Sequence, residues 1–275
     1  MGIRINTNVA SLNTRRHLYN ATAAYGKSME KLSSGLRINR AADDAAGLAI
    51  SEGLKSDIRA LGQAARNAAD GVSMVQVAEG ALDEVSNILL RMRELAEQSL
   101  NGTLTDTERL YLNDEYMALQ EEIDRISNSS EFNGMKLLDG TGGTVGIQVG
   151  IGTDTWDQIA VDLATDMDSA GLLLSADVSD TVRAAQAMDE VNAAVASVSS
   201  ARASFGAVQN RLEVSIRNIN NQQENLSAAN SRIRDVDVAA ETSSLTSYQI
   251  LQQAGVSMLA QANMTTSLAL SLLGG

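Results

Sequence analysis

Apolar residues return every seven positions along Ala184, Val191, Val198, Phe205, Leu212, Ile219, Leu226 and Ile233, with Ala187, Ala194, Ala201, Val208, Ala229 and Val236 in the partner row. That period matches two turns of an α-helix and holds one narrow seam against a second helix, so the stretch has coiled-coil geometry. Ser215 and Gln222 interrupt the second row and weaken the seam there. The chain contains no proline, where average usage of about 5% would supply roughly fourteen. Because proline breaks helix interiors, its absence permits unusually long helices.

A second long helix is predicted after Asp43 and Asp44, whose carboxylates can accept the free N–H groups of its first turn. Its seam runs through Leu54, Ile58, Leu61, Ala65, Ala68, Val72, Val75, Ala78, Leu82, Val85, Leu89, Met92 and Ala96, in steps of three and four with one shorter turn. Running to about Ser99, it would be about 70 Å long, and Gly102 is its expected stop. Gly53, Gly62, Gly71 and Gly80 each cost about 1 kcal/mol of helix propensity, so packing must hold it together.

Ahead of it, a weakly amphipathic helix with Ile5, Val9, Leu12, Tyr19, Ala23 and Met29 is expected to end at Ser34, with Gly35 as a left-handed cap. Arg37 and Arg40 form the basic side of the joint. Thr105 and Glu108 make a capping box for a third helix, carrying Leu112, Tyr116, Leu119, Ile123 and Ile126, that folds back antiparallel. EFNGMKLLDG (131–140) reads as turns. Alternation of Val145, Ile147, Val149 and Ile151, then of Ile159, Val161 and Leu163, predicts a β-hairpin at about 144–163.

The formal net charge of −13 disfavours nucleic acid and anionic membrane surfaces, which need a basic face. With no cysteine there are neither disulfides nor thiolate metal sites. The one histidine, His17, has no ligand partners nearby and reads as a solvated or interfacial helix residue. DMDSAG (166–171) partly resembles a calcium loop, but Ala170 stands where an oxygen ligand is needed and Asp177 where a closing glutamate is; it reads as a solvated acidic loop. No HExxH and no glycine-rich phosphate loop is present, so an enzyme is disfavoured and no cofactor is expected.

From Thr242 to Gly275 there is no charged residue. Leu251, Met258, Leu259, Leu268, Leu272 and Leu273 spread round more than one face, yet Gln252, Gln253, Gln261 and Asn263 interrupt them, leaving no run of about 20 apolar residues to span a membrane. Such a helix suits burial among other helices. Its expected partners are the N-terminal helix, through Ile5, Val9 and Leu12, and further copies of the chain. Head-to-tail contacts that do not close build a helical filament. MGIRINTNVASLN (1–13) has no apolar core of a secretory signal.

KLSSGLRINRAADDAAGLAISE (31–52) resembles the N-terminal signature of bacterial flagellins, and the likeness continues through RMRELAEQS (91–99), EEIDRISNSSEFNGMKLLDG (121–140), QNRLEVSIRNINNQQENLSAANSRIRDVDVAAE (209–241) and SLALSLL (267–273). The expected fold is mainly α: a long antiparallel coiled-coil-like helical rod with a small β-hairpin, its termini paired as a helical coiled coil. The resemblance implies that residues 1–43 and 236–275 pair as the filament core and that 44–235 form the rod-like domain around it. It also implies an extracellular filament subunit exported without a cleaved signal peptide, an export chaperone at the C-terminal segment, and filament cap and junction proteins as partners. A hook–filament junction protein is the alternative. At positions matching Arg91, Leu95 and Glu115, flagellins contact a vertebrate Toll-like receptor, which implies the same contact here.

Overall fold

The structure, a computed structural model, describes residues 7–273, excluding the side chains of Thr266 and of 268–273. Ile5, and the side chains of Leu268, Leu272 and Leu273, therefore lie outside the described residues. In chain order the elements are α1 (Val9–Ser34), α2 (Ala45–Ser99), α3 (Asp106–Ser129), β1 (Glu131–Phe132), β2 (Met135–Lys136), β3 (Thr144–Gln148), β4 (Gln158–Asp162), α4 (Thr181–Arg234) and α5 (Val238–Leu273). The chain is mainly α, with helices of 55, 54 and 36 residues for α2, α4 and α5. It divides into two compact units, one from residues up to Ser56 together with those from Asn225 on, the other spanning Asp57–Glu224.

In the second unit, the buried row of α2 is Leu61, Ala64, Ala68, Gly71, Val75, Ala78, Leu82, Val85, Leu89, Met92, Ala96 and Ser99. Its steps alternate three and four without a break, so the shorter turn expected from the sequence is absent. Ala64 and Gly71 replace Ala65 and Val72 as core residues. α4 answers with Ala184, Val191, Val198, Phe205, Leu212 and Ile219 in one row and Ala187, Ala194 and Val208 in the other, the seven-residue period read from the sequence. The pairings Arg202–Asp83 (2.9 Å) and Leu212 beside Gly71 make α2 and α4 antiparallel.

α3 begins with the expected capping box, Thr105 and Glu108 each bonding the other's backbone N–H, and folds back on α2. The end of α2 is settled differently from the sequence expectation. The helix stops at Ser99, three residues before Gly102, and Arg109 of α3 donates to its last carbonyl, Ser99 O, at 2.9 Å and to Asn101 O in the following turn at 3.0 Å. This guanidinium is buried and supplies a partner to the Ser99 carbonyl at the helix end.

Residues 131–136, read from the sequence as turns, form a minimal hairpin, with Glu131 opposite Lys136. Asn133 (φ 51°) and Gly134 (φ 79°) supply the two left-handed positions that a two-residue hairpin turn requires. The longer hairpin falls as predicted, β3 pairing antiparallel with β4 from Thr144↔Asp162 to Gln148↔Gln158. Its Ile147 lies against Gly71, and Asn67 donates to Gln148 O at 3.2 Å. Residues 174–178 are strapped down by side chains: Gln120 donates to Leu174 O, Asn113 accepts from Val178 N–H, and Glu190 accepts from Ser175 and Ala176 N–H. Burial alone would raise the Glu190 pKa, but the hydrogen bonds from Ala176 and Ser175 outweigh it and hold the carboxyl below its ordinary value.

In the first unit, α1 packs antiparallel along α5, with Asn8 donating to Ala262 O at 2.7 Å at one end and Lys31 facing Glu241 at 3.7 Å at the other. The termini thus pair as helices. The row of α1 turned to its partner holds Ser11, Thr14, Leu18, Ala21, Tyr25 and Ser28, and that of α5 Leu245, Tyr248, Gln252, Gly255, Leu259 and Ala262. Each row steps by three and four, a heptad seam built largely from small and polar side chains.

Candidate assembly surface and helix joint

The residues expected to pack the terminal helices divide between two environments. Leu259 is half-buried in the α1–α5 seam, whereas Val9, Leu12, Leu251 and Met258 are exposed. Tyr19, Met29, Ile250, Val256 and Met264 are exposed with them. The pair therefore closes through small and polar residues with a few larger ones, and leaves many of its large apolar side chains in solvent. Beside the seam runs a groove of about 580 Å³ lined by Leu18, Ala21, Ala24, Tyr248, Leu251 and Met258, with His17 at its edge. No carboxylate lines this groove. Among the described residues no cluster of His, Cys, Asp or Glu could hold a metal ion, and the aspartates of 166–168 accept backbone N–H groups, Asp166 from Asp168 and Asp168 from Gly171.

The joint between α1 and α2 is held by a segment nearly two hundred residues away. Gly35 ends α1 at φ 72°, as expected. The next residues pair with the break between α4 and α5: Arg37 N–H donates to Arg234 O at 2.6 Å and Val236 N–H to Gly35 O at 3.0 Å, setting Leu36 opposite Asp235 in an antiparallel bridge. The Arg37 guanidinium donates to Ile233 O, placing a cation at the negative end of α4. Asp237 accepts from Ala239 and Ala240 N–H and so caps α5. Both interruptions are one structure, a two-residue bridge that the two helix ends share.

Of the two aspartates expected to cap α2, only Asp44 does so, accepting from Gly47 N–H at 2.9 Å. Asp43 instead closes the loop behind it, accepting from Arg40 N–H at 3.1 Å and facing Lys27 at 3.7 Å. The Arg40 N–H, with smaller contributions from Asn39, Lys27 and Lys31, holds the Asp43 carboxyl below its ordinary pKa against the opposing effect of burial. Arg40 pairs with Glu30 at 2.9 Å, and Arg234 with Glu52. Replacing the cap, Asp44→Ala, is expected to lower thermal stability by about 1 kcal/mol and to reduce self-assembly by a larger factor, because the joint orients both terminal helices. Equal losses in unfolding and sedimentation assays would mean that Asp44 only caps.

In the second unit, Arg91 and Glu115 meet across α2 and α3. The guanidinium donates to Glu115 Oε1 from Nε at 2.9 Å and from Nη2 at 2.8 Å, and from Nη1 to Glu94 at 2.9 Å. Glu115 first and Glu94 second raise the Arg91 pKa further. Leu95 does not share this face. It is 0% exposed, one helical turn beyond Arg91 and next to the buried Ala96. The exposed leucine next to Arg91 is Leu90.

Residues 5–142 match the family model for the bacterial flagellin N-terminal helical region, and residues 188–273 that for the bacterial flagellin C-terminal helical region. The chain belongs to the bacterial flagellins. It is 49% identical over 271 residues to a flagellin of Halalkalibacterium halodurans, covering 98% of this chain and 99% of that one. With a flagellin of Bacillus subtilis it shares 46% identity over 303 residues, covering 98% and 100% respectively. The crystal structure of Bacillus cereus flagellin superposes with a TM-score of 0.51 at 32% identity, covering 60% of this chain and 94% of that chain. The two flagellin family regions take in both terminal helices and both sides of the Gly35–Arg37 bridge.

Proposed function

We propose that this flagellin is the structural subunit of an extracellular flagellar filament and that it polymerises through the α1–α5 pair. The observation that carries the reading is the pair itself, whose large apolar residues face solvent on a helix that carries no charge beyond Glu241. A charged surface would resist burial, whereas this one loses little on being covered by copies of itself. In this reading 1–43 and 236–275 form the filament core and 44–235 the domain around it. No helix among the described residues is long and apolar enough to cross a membrane. An export chaperone covering 236–275 before secretion, passage without a cleaved signal peptide, and cap and junction proteins at the filament ends complete the proposal. Electron microscopy of the purified chain tests it: long helical polymers are expected, and a chain that forms only short discrete complexes would instead be a hook–filament junction component.

Recognition of the monomer by the vertebrate Toll-like receptor for flagellin is the second reading, and the specific observation in its favour is the exposed, preorganised Arg91–Glu115 pair. Since Leu95 is buried, its part would be to hold α2 under that pair. In receptor-expressing cells, Arg91→Ala and Glu115→Ala are expected to weaken activation by about tenfold with unfolding unchanged, while Leu95→Ala loses about 2–5 kcal/mol of stability as a cavity-forming change. Undiminished activation by folded Arg91→Ala and Glu115→Ala monomers would remove this site.

A further inference from the structure

We infer that the second unit carries a binding cleft for a neutral sugar, built between the β3–β4 hairpin and α4. The single tryptophan of the chain, Trp156, lies in the turn joining the two strands and is 80% exposed. Its indole N–H donates to Asp154 Oδ2 at 3.2 Å, which fixes the ring by its edge and leaves its faces open. The ring borders a cleft of about 550 Å³ whose polar lining includes Gln158, Asn210, Arg211, Ser215 and Asn218. Other amides close by are engaged: Gln148 with the carbonyls of Gly150 and Gly152, Gln209 with Glu213, and Asn67 with Gln148. The side chains of Gln158, Asn210, Arg211, Ser215 and Asn218 make no hydrogen bond among the described residues.

An open aromatic face bordered by amides, a hydroxyl and one guanidinium complements a pyranose, whose C–H face is apolar and whose rim is hydroxyls. The volume is that of a small-ligand site. Asp154 and Asp157 at the same hairpin tip oppose an anionic ring, and the lone cation, Arg211, can donate to sugar hydroxyls without requiring a carboxylate. This function is independent of filament formation, and its test uses the soluble chain before polymerisation.

Because Trp156 is the only tryptophan, its fluorescence reports this cleft alone. Titration with maltose, cellobiose, lactose and chitobiose is expected to give a saturable change with at least one of them, with Kd on the order of 1 mM. Sorbitol, which has the hydroxyls but no ring face, and glucuronate, which adds a charge, should give responses at least about fivefold weaker. The double change Asn210→Ala and Asn218→Ala, on the exposed surface of α4, should weaken binding by about tenfold while circular dichroism stays unchanged. Should the doubly substituted helix unfold, Arg211→Gln alone is expected to weaken binding by about fivefold. No saturable response to any of the four disaccharides, an equal response to sorbitol, or undiminished binding by the folded variants would overturn the site.

Discussion

Deleting residues 238–273 is expected to abolish polymerisation while the helices of residues 57–224 remain folded. α5 supplies half of the terminal pair and most of its exposed apolar side chains, Ile250, Leu251, Val256, Met258 and Met264 among them. Without it α1 loses the partner of its Leu18–Ala21–Tyr25 row, and an isolated helix of 26 residues with so weak an apolar face is marginal in water. The seam of α2 and α4 from Leu61 to Ser99 and from Ala184 to Ile219 contains none of the deleted residues. Sedimentation and electron microscopy should therefore show complete loss of filaments, with the circular dichroism signal falling by no more than the helices removed. Filaments formed by the shortened chain would show that the assembly surface lies elsewhere.

A large change from one residue is expected at Gly71. A Cβ there would lie 3.2 and 3.3 Å from the Ile147 side chain and 3.3 Å from Leu212 Cδ1, so the hairpin, α2 and α4 all meet over a residue without a side chain. Gly71→Leu is expected to destabilise the second unit by about 3 kcal/mol, at the upper end of the range for overpacked cores, and to lower its unfolding temperature by roughly 6–12 °C. Gly80, on the same helix, has nothing within 4 Å of where its Cβ would be. Gly80→Ala should therefore raise stability by up to about 1 kcal/mol, the helix propensity regained. A mild effect of Gly71→Leu, or a loss from Gly80→Ala, would mean that the contacts over Gly71 do not determine the stability of the unit.

What the amino-acid sequence determined alone were the features that act over one or two helical turns. The Thr105–Glu108 capping box, the Gly35 terminus, the Asp44 cap and the seven-residue period of α4 each depend on residues within seven positions of one another. The β3–β4 hairpin was legible as well, because alternation along each short strand sets its faces. The Asn133–Gly134 turn belonged to this class too, and the signal was available: an Asn-Gly pair between two short extended runs.

Tertiary structure decided everything that required choosing between rows of similar residues or finding a distant partner. Hydrophobicity favours Val72 over Gly71 as a core residue, but it is Gly71 that faces Ile147 and Leu212, where even a Cβ would be in tight contact. Leu95 and Leu90 are equivalent as letters, yet in the fold one is fully buried and the other exposed. The Arg109 side chain over the end of α2, the Leu36–Asp235 bridge and the division of Leu259 from Leu251 and Met258 likewise have no local signature. An apolar stripe records that a face will be covered, and its width allows several registers; which register is taken depends on the volume and the unpaired backbone groups that the partner helix brings.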